Sequence, residues 1–193
     1  MTRNAAKAFS YFLSNPIVGG LGGLAIIARE EAFLNNMIPN FLTVLLFYSV
    51  IPFVSVYYLR LQGRSDTFMS RRGRRPKHFI PGLMGYAVSA YVFQTWGMML
   101  MRMVSSSFLA TSLILLLLTL KTKVSIHVAG LTSTIILILY SYWPFGLILL
   151  PLIPVLAWAR VNTGEHTFGQ TMLGALIGLA GSLLGITVCH PSF

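Results

Sequence analysis

Residues 124–159 read VSIHVAGLTSTIILILYSYWPFGLILLPLIPVLAWA, 36 residues without an Asp, Glu, Lys or Arg. A helix needs roughly 20 apolar residues to cross about 30 Å of hydrocarbon. The stretch is therefore long enough to cross a membrane twice, with a turn at Tyr142-Trp143-Pro144, whose aromatic side chains suit the membrane interface. Its continuous apolar character differs from the alternating pattern of membrane strands, so we expect helices.

The rest of the chain has the same character. Hydrophobic residues make up 55% of the 193 residues and charged residues only 9%, against about 25% charged residues in soluble domains. Uncharged runs predict spans near 41–59, 79–100, 104–120, 126–142, 145–159 and 167–188. A further segment, 8–28, is interrupted by Asn15-Pro16 and four glycines, and it either crosses the membrane or lies on its surface. The prediction is an all-α, polytopic integral membrane bundle of six or seven transmembrane helices.

We expect one membrane domain, residues 1–193, in which 1–38 form an N-terminal interfacial or spanning segment and 39–193 form the helical core. The single cysteine, Cys189, excludes an intrachain disulfide framework. The first apolar segment lacks the small-residue cleavage site of a signal peptide, so we interpret it as part of the mature protein. The expected location is the cell membrane.

Three polar junctions interrupt the apolar runs, at 60–78, 121–127 and 160–166. Two predicted spans separate each junction from the next, and an even number of crossings returns the chain to the same face. The junctions hold ten of the fourteen basic residues, namely Arg60, Arg64, Arg71, Arg72, Arg74, Arg75, Lys77, Lys121, Lys123 and Arg160. The positive-inside rule favours a cytoplasmic location for this face, and attraction to anionic headgroups is a second interpretation. No soluble fold presents these charges to a nucleic acid, so no nucleic-acid partner is expected.

Two histidines, His127 and His166, begin apolar spans at this same face, beside Arg75 and Arg160. Arginine offers a planar fork of donors that suits phosphate oxygens, and histidine acts as a nucleophile or a general acid near neutral pH. Few carboxylates and no cysteine lie nearby, which suits phosphoryl chemistry better than zinc hydrolysis or acyl transfer. Gln170 follows His166 at i+4, so on a helix the two side chains share a face.

These residues resemble the signatures of the type-2 phosphatidic acid phosphatase superfamily. Arg160-x5-His166-x3-Gln170 is similar to the third signature, S-R-x5-H-x3-D, and Val124-Ser125-Ile126-His127 is similar to the second, P-S-G-H. Arg75-Pro76 resembles the end of the first signature, K-x6-R-P. The chain departs from the family at Phe68, where the lysine of the first signature stands, and at Gln170, where the family has aspartate.

The resemblance implies a membrane phosphatase acting on a lipid phosphate or diphosphate, of the phosphatidate or prenyl phosphate type, without a metal or other cofactor. His166 would attack phosphorus, His127 would protonate the leaving oxygen, and Gln170 would orient His166. Phosphate oxygens would be held by Arg75, Arg160 and Ser125, and Arg71, Arg72 or Arg64 would replace the missing lysine.

Two alternatives stay open. A non-catalytic bundle could retain the fold and bind anionic lipid or a partner membrane protein, and the glutamine at position 170 favours it. A small transporter fits less well, because the charges gather at one face and not near the bilayer midplane. Gly174, Gly178, Gly181 and Gly185 form a small-residue stripe on the last span, which favours close packing within the chain or, as a second use, a homo-oligomer.

Overall fold

The computed structural model describes residues 3–61 and 76–189, and every regular element in these ranges is helical, which confirms the all-α class. The helices are α1 (Arg3–Phe12), α2 (Asn15–Ile27), α3 (Met37–Leu45), α4 (Ile51–Leu61), α5 (Pro76–Thr95), α6 (Met99–Thr119), α7 (Ile126–Ser141), α8 (Leu152–Asn162) and α9 (Phe168–Cys189). Short 3₁₀ helices at Glu31–Asn36 and Phe145–Leu149 precede α3 and α8, and a π-helical turn at Leu46–Val50 joins α3 to α4.

Within the described ranges, four helical stretches are long and apolar enough to cross a membrane: Phe33–Val54, Met99–Thr119, Phe145–Asn162 and Phe168–Cys189. The pair formed by α1 and α2, bent by 45°, adds a fifth if it is one span. Helix α7 is apolar but has only 16 residues, or about 24 Å at 1.5 Å per residue. The structure thus supports a membrane protein with several spanning helices, while a total of six or seven stays a prediction.

Helix α9 lies against both α6 and α7, and the glycine stripe forms the contact. A Cβ atom at Gly174 would lie 2.6 Å from the carbonyl oxygen of Ser125, and one at Gly178 would collide with Ala129 of α7. Further along, Gly181 and Gly185 meet Thr111 and Ser107 of α6 in the same way. The stripe is therefore used for packing within the chain, and association of copies would need another surface.

The N-terminal segment, left open between crossing and surface by its sequence, packs into the bundle. Helix α2 buries a glycine-rich face in which Gly22 meets Thr134 of α7 and Gly23 meets Tyr48. The Asn15 side chain at its start donates a hydrogen bond of 3.1 Å to the carbonyl oxygen of Ile126. At its end, the carbonyl oxygen of Ala25 accepts a hydrogen bond of 2.6 Å from the Tyr142 hydroxyl. Helices α2 and α7 therefore run parallel.

Replacing Gly178 by alanine should destabilise the bundle, because the added methyl group has no room against α7. Overpacking of a core costs about 1–3 kcal/mol, which thermal unfolding of the purified protein in detergent would detect. Gly169→Ala is the matched control on the same helix, since a Cβ atom there meets nothing within 4 Å. Equal melting temperatures for Gly178→Ala and Gly169→Ala would contradict the close approach of α9 to α7.

Candidate functional site

The start of α7 is joined to the start of α9 through Ser125. This residue precedes the first turn of α7, and its backbone N–H donates a hydrogen bond of 3.2 Å to the backbone carbonyl oxygen of Gln170. Its side chain is fully buried, and its Oγ has no hydrogen-bond partner among the described residues. The residues of the predicted second and third signatures are thus neighbours, and the junctions 121–127 and 160–166 meet at one end of the bundle, as crossing parity predicts.

The five residues between Arg160 and His166 form a tight turn. Helix α8 ends at Asn162, and Gly164 then adopts a φ of +78°, the left-handed region that glycine enters without steric cost. The turn brings the backbone N–H groups of Glu165 and His166 back to the carbonyl oxygen of Arg160, at 3.2 and 3.3 Å. The five-residue spacing between Arg160 and His166 is therefore explained by this turn, which brings His166 back beside the end of α8.

Arg160 is the largest fully buried side chain among the described residues. A guanidinium group carries five N–H donors and a permanent positive charge, and such a group is buried only where acceptors or an anion compensate its lost hydration. The N-termini of α7 and α9 add partial positive charge at the same end of the bundle. This combination favours an anion next to Ser125, Arg160 and His166.

Thr167 and Gln170 form a capping box at the start of α9. The Thr167 hydroxyl accepts a hydrogen bond of 3.4 Å from the Gln170 N–H, and the Gln170 side-chain oxygen accepts one of 3.3 Å from the Thr167 N–H. In a capping box, Ser or Thr before the helix and Glu or Gln three residues later satisfy each other's backbone donors. Gln170 thus has a structural reason to be glutamine.

The same Gln170 oxygen lies 3.1 Å from Nδ1 of His166. Since the backbone N–H of Thr167 points at this atom, it is the carbonyl oxygen of the amide and can only accept. Nδ1 of His166 must then carry the hydrogen, and the lone pair of the neutral ring is on Nε2. The side chain of His166 is 7% exposed, so the ring is held nearly buried with a defined tautomer and Nε2 as its nucleophilic nitrogen.

His127 lies at the same end of the bundle but on another side of α7. It lines a cavity together with Gly130 and Thr134, whereas Ala129 and Ser133 face α9. Asn15 lines the same cavity, and it occupies the space that a side chain at position 130 would fill. Sequence reasoning treated Asn15 only as a helix interruption, although an amide within an apolar run is a signal of a buried polar contact.

The contacts between described residues bring together Ser125, Arg160, His166 and Gln170. His127 lies at the same end of the bundle, but the cavity that it lines is lined by none of these four residues. Arg64, Arg71, Arg72 and Arg75 lie outside the described residues. Within the described ranges, no group of three or more His, Cys, Asp or Glu side chains is arranged to hold a metal ion.

No protein-family model matches the chain, and neither a curated protein nor a solved structure matches it. The resemblance to the phosphatase superfamily consequently rests on the residues quoted from the sequence.

The His166 tautomer is directly measurable. We expect ¹⁵N NMR of histidine-labelled protein to show Nδ1 protonated and Nε2 unprotonated in the neutral His166 ring. The Gln170→Leu variant, which has no acceptor at this position, should show a mixture of the two tautomers, and Gln170→Glu should retain the Nδ1–H form. An Nε2–H tautomer in the unsubstituted protein would contradict the capping-box geometry.

Proposed function

We propose that this protein is a membrane phosphatase that hydrolyses a lipid phosphate or diphosphate through a phosphohistidine on His166. The proposal is supported chiefly by the contact between Gln170 and Nδ1 of His166, which leaves Nε2 as the nucleophile in a nearly buried, cationic setting. Phosphoryl transfer depends mainly on positioning and on stabilising spread negative charge. Buried Arg160, Ser125 and two helix N-termini supply groups suited to that task.

The reaction has two steps. Nε2 of His166 attacks phosphorus, a P–N bond forms, the P–O bond to the lipid breaks, and His127 gives its proton to the departing lipid oxygen. Water then attacks the phosphohistidine, His127 takes a proton from that water, the P–N bond breaks, and inorganic phosphate leaves. Assigning these roles to His127 and His166 follows the family resemblance, together with the capacity of histidine for both tasks.

The lipid bilayer supplies the substrate in this proposal. With the six or seven spans that the uncharged runs predict, the site would lie at one membrane face. The basic residues of the junctions favour the cytoplasmic face of the cell membrane. A substrate lipid would present its headgroup to the site while its apolar part stays among the helices.

Phosphate release from short-chain lipid phosphates tests the assignment of the two histidines. His166→Ala should abolish turnover, because no covalent route remains. His127→Ala should slow it by about 10²–10⁴-fold, the usual contribution of a general acid. His190→Ala, at a histidine to which the sequence assigns no role, is the matched control and should keep full activity. Full activity in His166→Ala would exclude the phosphohistidine route.

Replacing Gln170 by glutamate tests the charge at this position. Glutamate keeps the side-chain length and the capping box, and its carboxylate stabilises the positive charge that the ring acquires on phosphorylation. We therefore expect Gln170→Glu to increase the rate of phosphate release. Gln170→Asp would carry the same charge but has one methylene less with which to reach Nδ1 of His166 and the Thr167 N–H. A slower glutamate variant with unchanged stability would show that the neutral amide is the better partner.

The capping box also gives the non-catalytic bundle its specific support, because it explains Gln170 without any chemistry. Folded protein that releases no phosphate from phosphatidate, prenyl phosphate or prenyl diphosphate, with or without Gln170→Glu, would favour that second function.

A further inference from the structure

A cavity of about 210 Å³ opens beside His127. Its wall consists of one face each of α5, α6 and α7, together with residues at the junction of α1 and α2 and in α4. The lining residues extend over eight or nine positions of these helices, that is, seven or eight residue steps, at 79–86, 108–115 and 126–134. At 1.5 Å per residue this is a depth of about 10–12 Å, directed from the site end toward the middle of the bundle.

The cavity has the size and the lining of a site for hydrocarbon. Phe79, Tyr86, Phe108 and Leu115 form much of its wall. A dry apolar cavity of about 150 Å³ accepts one benzene molecule, so about 210 Å³ takes the first part of one hydrocarbon chain and leaves no room for two chains side by side. Tyr11 and Phe53, 50% and 57% exposed, stand at its edge, where a longer chain can continue into the lipid.

Two buried polar atoms belong to lining residues near the site end of the cavity. Oδ1 of Asn15 and Oγ of Ser10 have no hydrogen-bond partner among the described residues. Both atoms are covered by neighbouring residues and do not face the cavity. The polar character of this end comes from the side chains of Ser14, Asn15 and His127, which line it. The ligand that fits both the apolar depth and this polar end is an amphiphile.

We propose that this cavity binds the hydrocarbon chain of a single-chain amphiphile, whose polar group lies beside Asn15 and His127. The link to catalysis rests on the proposed phosphatase function. In that reaction the leaving oxygen carries the chain, and His127, as its proton donor, must lie next to that oxygen. A chain that starts at His127 enters the cavity directly, so the substrates would be single-chain alkyl or isoprenoid phosphates and diphosphates in preference to two-chain phosphatidates.

A cavity-filling variant tests the proposal. Gly82 lines the cavity, and a Cβ atom there would meet only the Tyr86 ring, at 3.8 Å, so a side chain can begin there without meeting backbone. Gly82→Leu fills part of the space that the chain would occupy. Ala87→Leu is the matched control, since position 87 lies on the same helix and is exposed.

Isothermal titration calorimetry measures the Kd of octylphosphonate, butylphosphonate and inorganic phosphate. The full-length protein is used, in phosphatidylcholine nanodiscs. Octylphosphonate should bind tightest. Gly82→Leu should weaken it at least about tenfold, because the new side chain displaces several methylenes and each contributes about fourfold when buried from water. The Kd of inorganic phosphate, and all values for Ala87→Leu, should stay unchanged.

Affinity that does not depend on chain length, or octylphosphonate binding that Gly82→Leu leaves intact, would overturn the proposal. So would tighter binding of dihexanoyl phosphatidate than of octylphosphonate. Geranylphosphonate compared with decylphosphonate distinguishes an isoprenoid from a straight chain, and preference for either supports a single-chain site. Binding that depends on hydrocarbon chain length, without phosphate release from any lipid phosphate, would reject the phosphatase function and retain the hydrocarbon site. Phosphate release with an affinity that does not depend on chain length would retain the phosphatase function and reject the hydrocarbon site.

Discussion

Helix α9 can approach α7 only because its inner face lacks Cβ atoms at Gly174 and Gly178. This close approach places the backbone carbonyl oxygen of Gln170 3.2 Å from the backbone nitrogen of Ser125. Two loops that are about forty residues apart in sequence thereby become one wall of the site. Without the glycines the helices would separate by at least the width of a methyl group, and Ser125 would lose its contact with the histidine turn.

The turn between α8 and α9 links this packing to the position of His166. Gly164 closes the loop, the Arg160 carbonyl oxygen holds its far end, and the capping box starts α9 immediately after His166. Each of these features also occurs in helices that have no catalytic role. Their placement in sequence is what orients a histidine ring, because one amide oxygen serves the helix cap and Nδ1 of His166 together.

Much of the helical layout could be predicted from the distribution of charges. The run 126–142 became Ile126–Ser141, and 167–188 became Phe168–Cys189, because charged residues are excluded from long apolar helices. The run 79–100 is divided in the structure at Gly97, whose φ of +70° reverses the chain. Hydropathy reports polarity and not backbone conformation, so this boundary could not be read from it.

The site was less predictable than the helices. The contact between His166 and Gln170 was predicted from their i, i+4 spacing. His166 lies before the first residue of α9, however, so the contact depends on the capping box and not on helix geometry alone. The role of Thr167 was missed, although the pattern Thr-x-x-Gln before an apolar run is a known cap signature. Asn15 was missed for a different reason. Its partner is the carbonyl oxygen of Ile126, 111 positions away, and no local pattern specifies a contact across the bundle.

A buried cation and an apolar cavity on two sides of the start of α7 impose opposite demands on a ligand. Arg160, fully buried, is stabilised by negative charge, while a cavity lined by Phe79, Phe108 and Leu115 excludes it. A molecule with an anionic head and an apolar chain would satisfy both, provided that its junction lies where Asn15 and His127 meet the start of α7. The N-terminal helices are part of this arrangement, because Asn15 holds the first turn of α7 and closes the cavity at the same time.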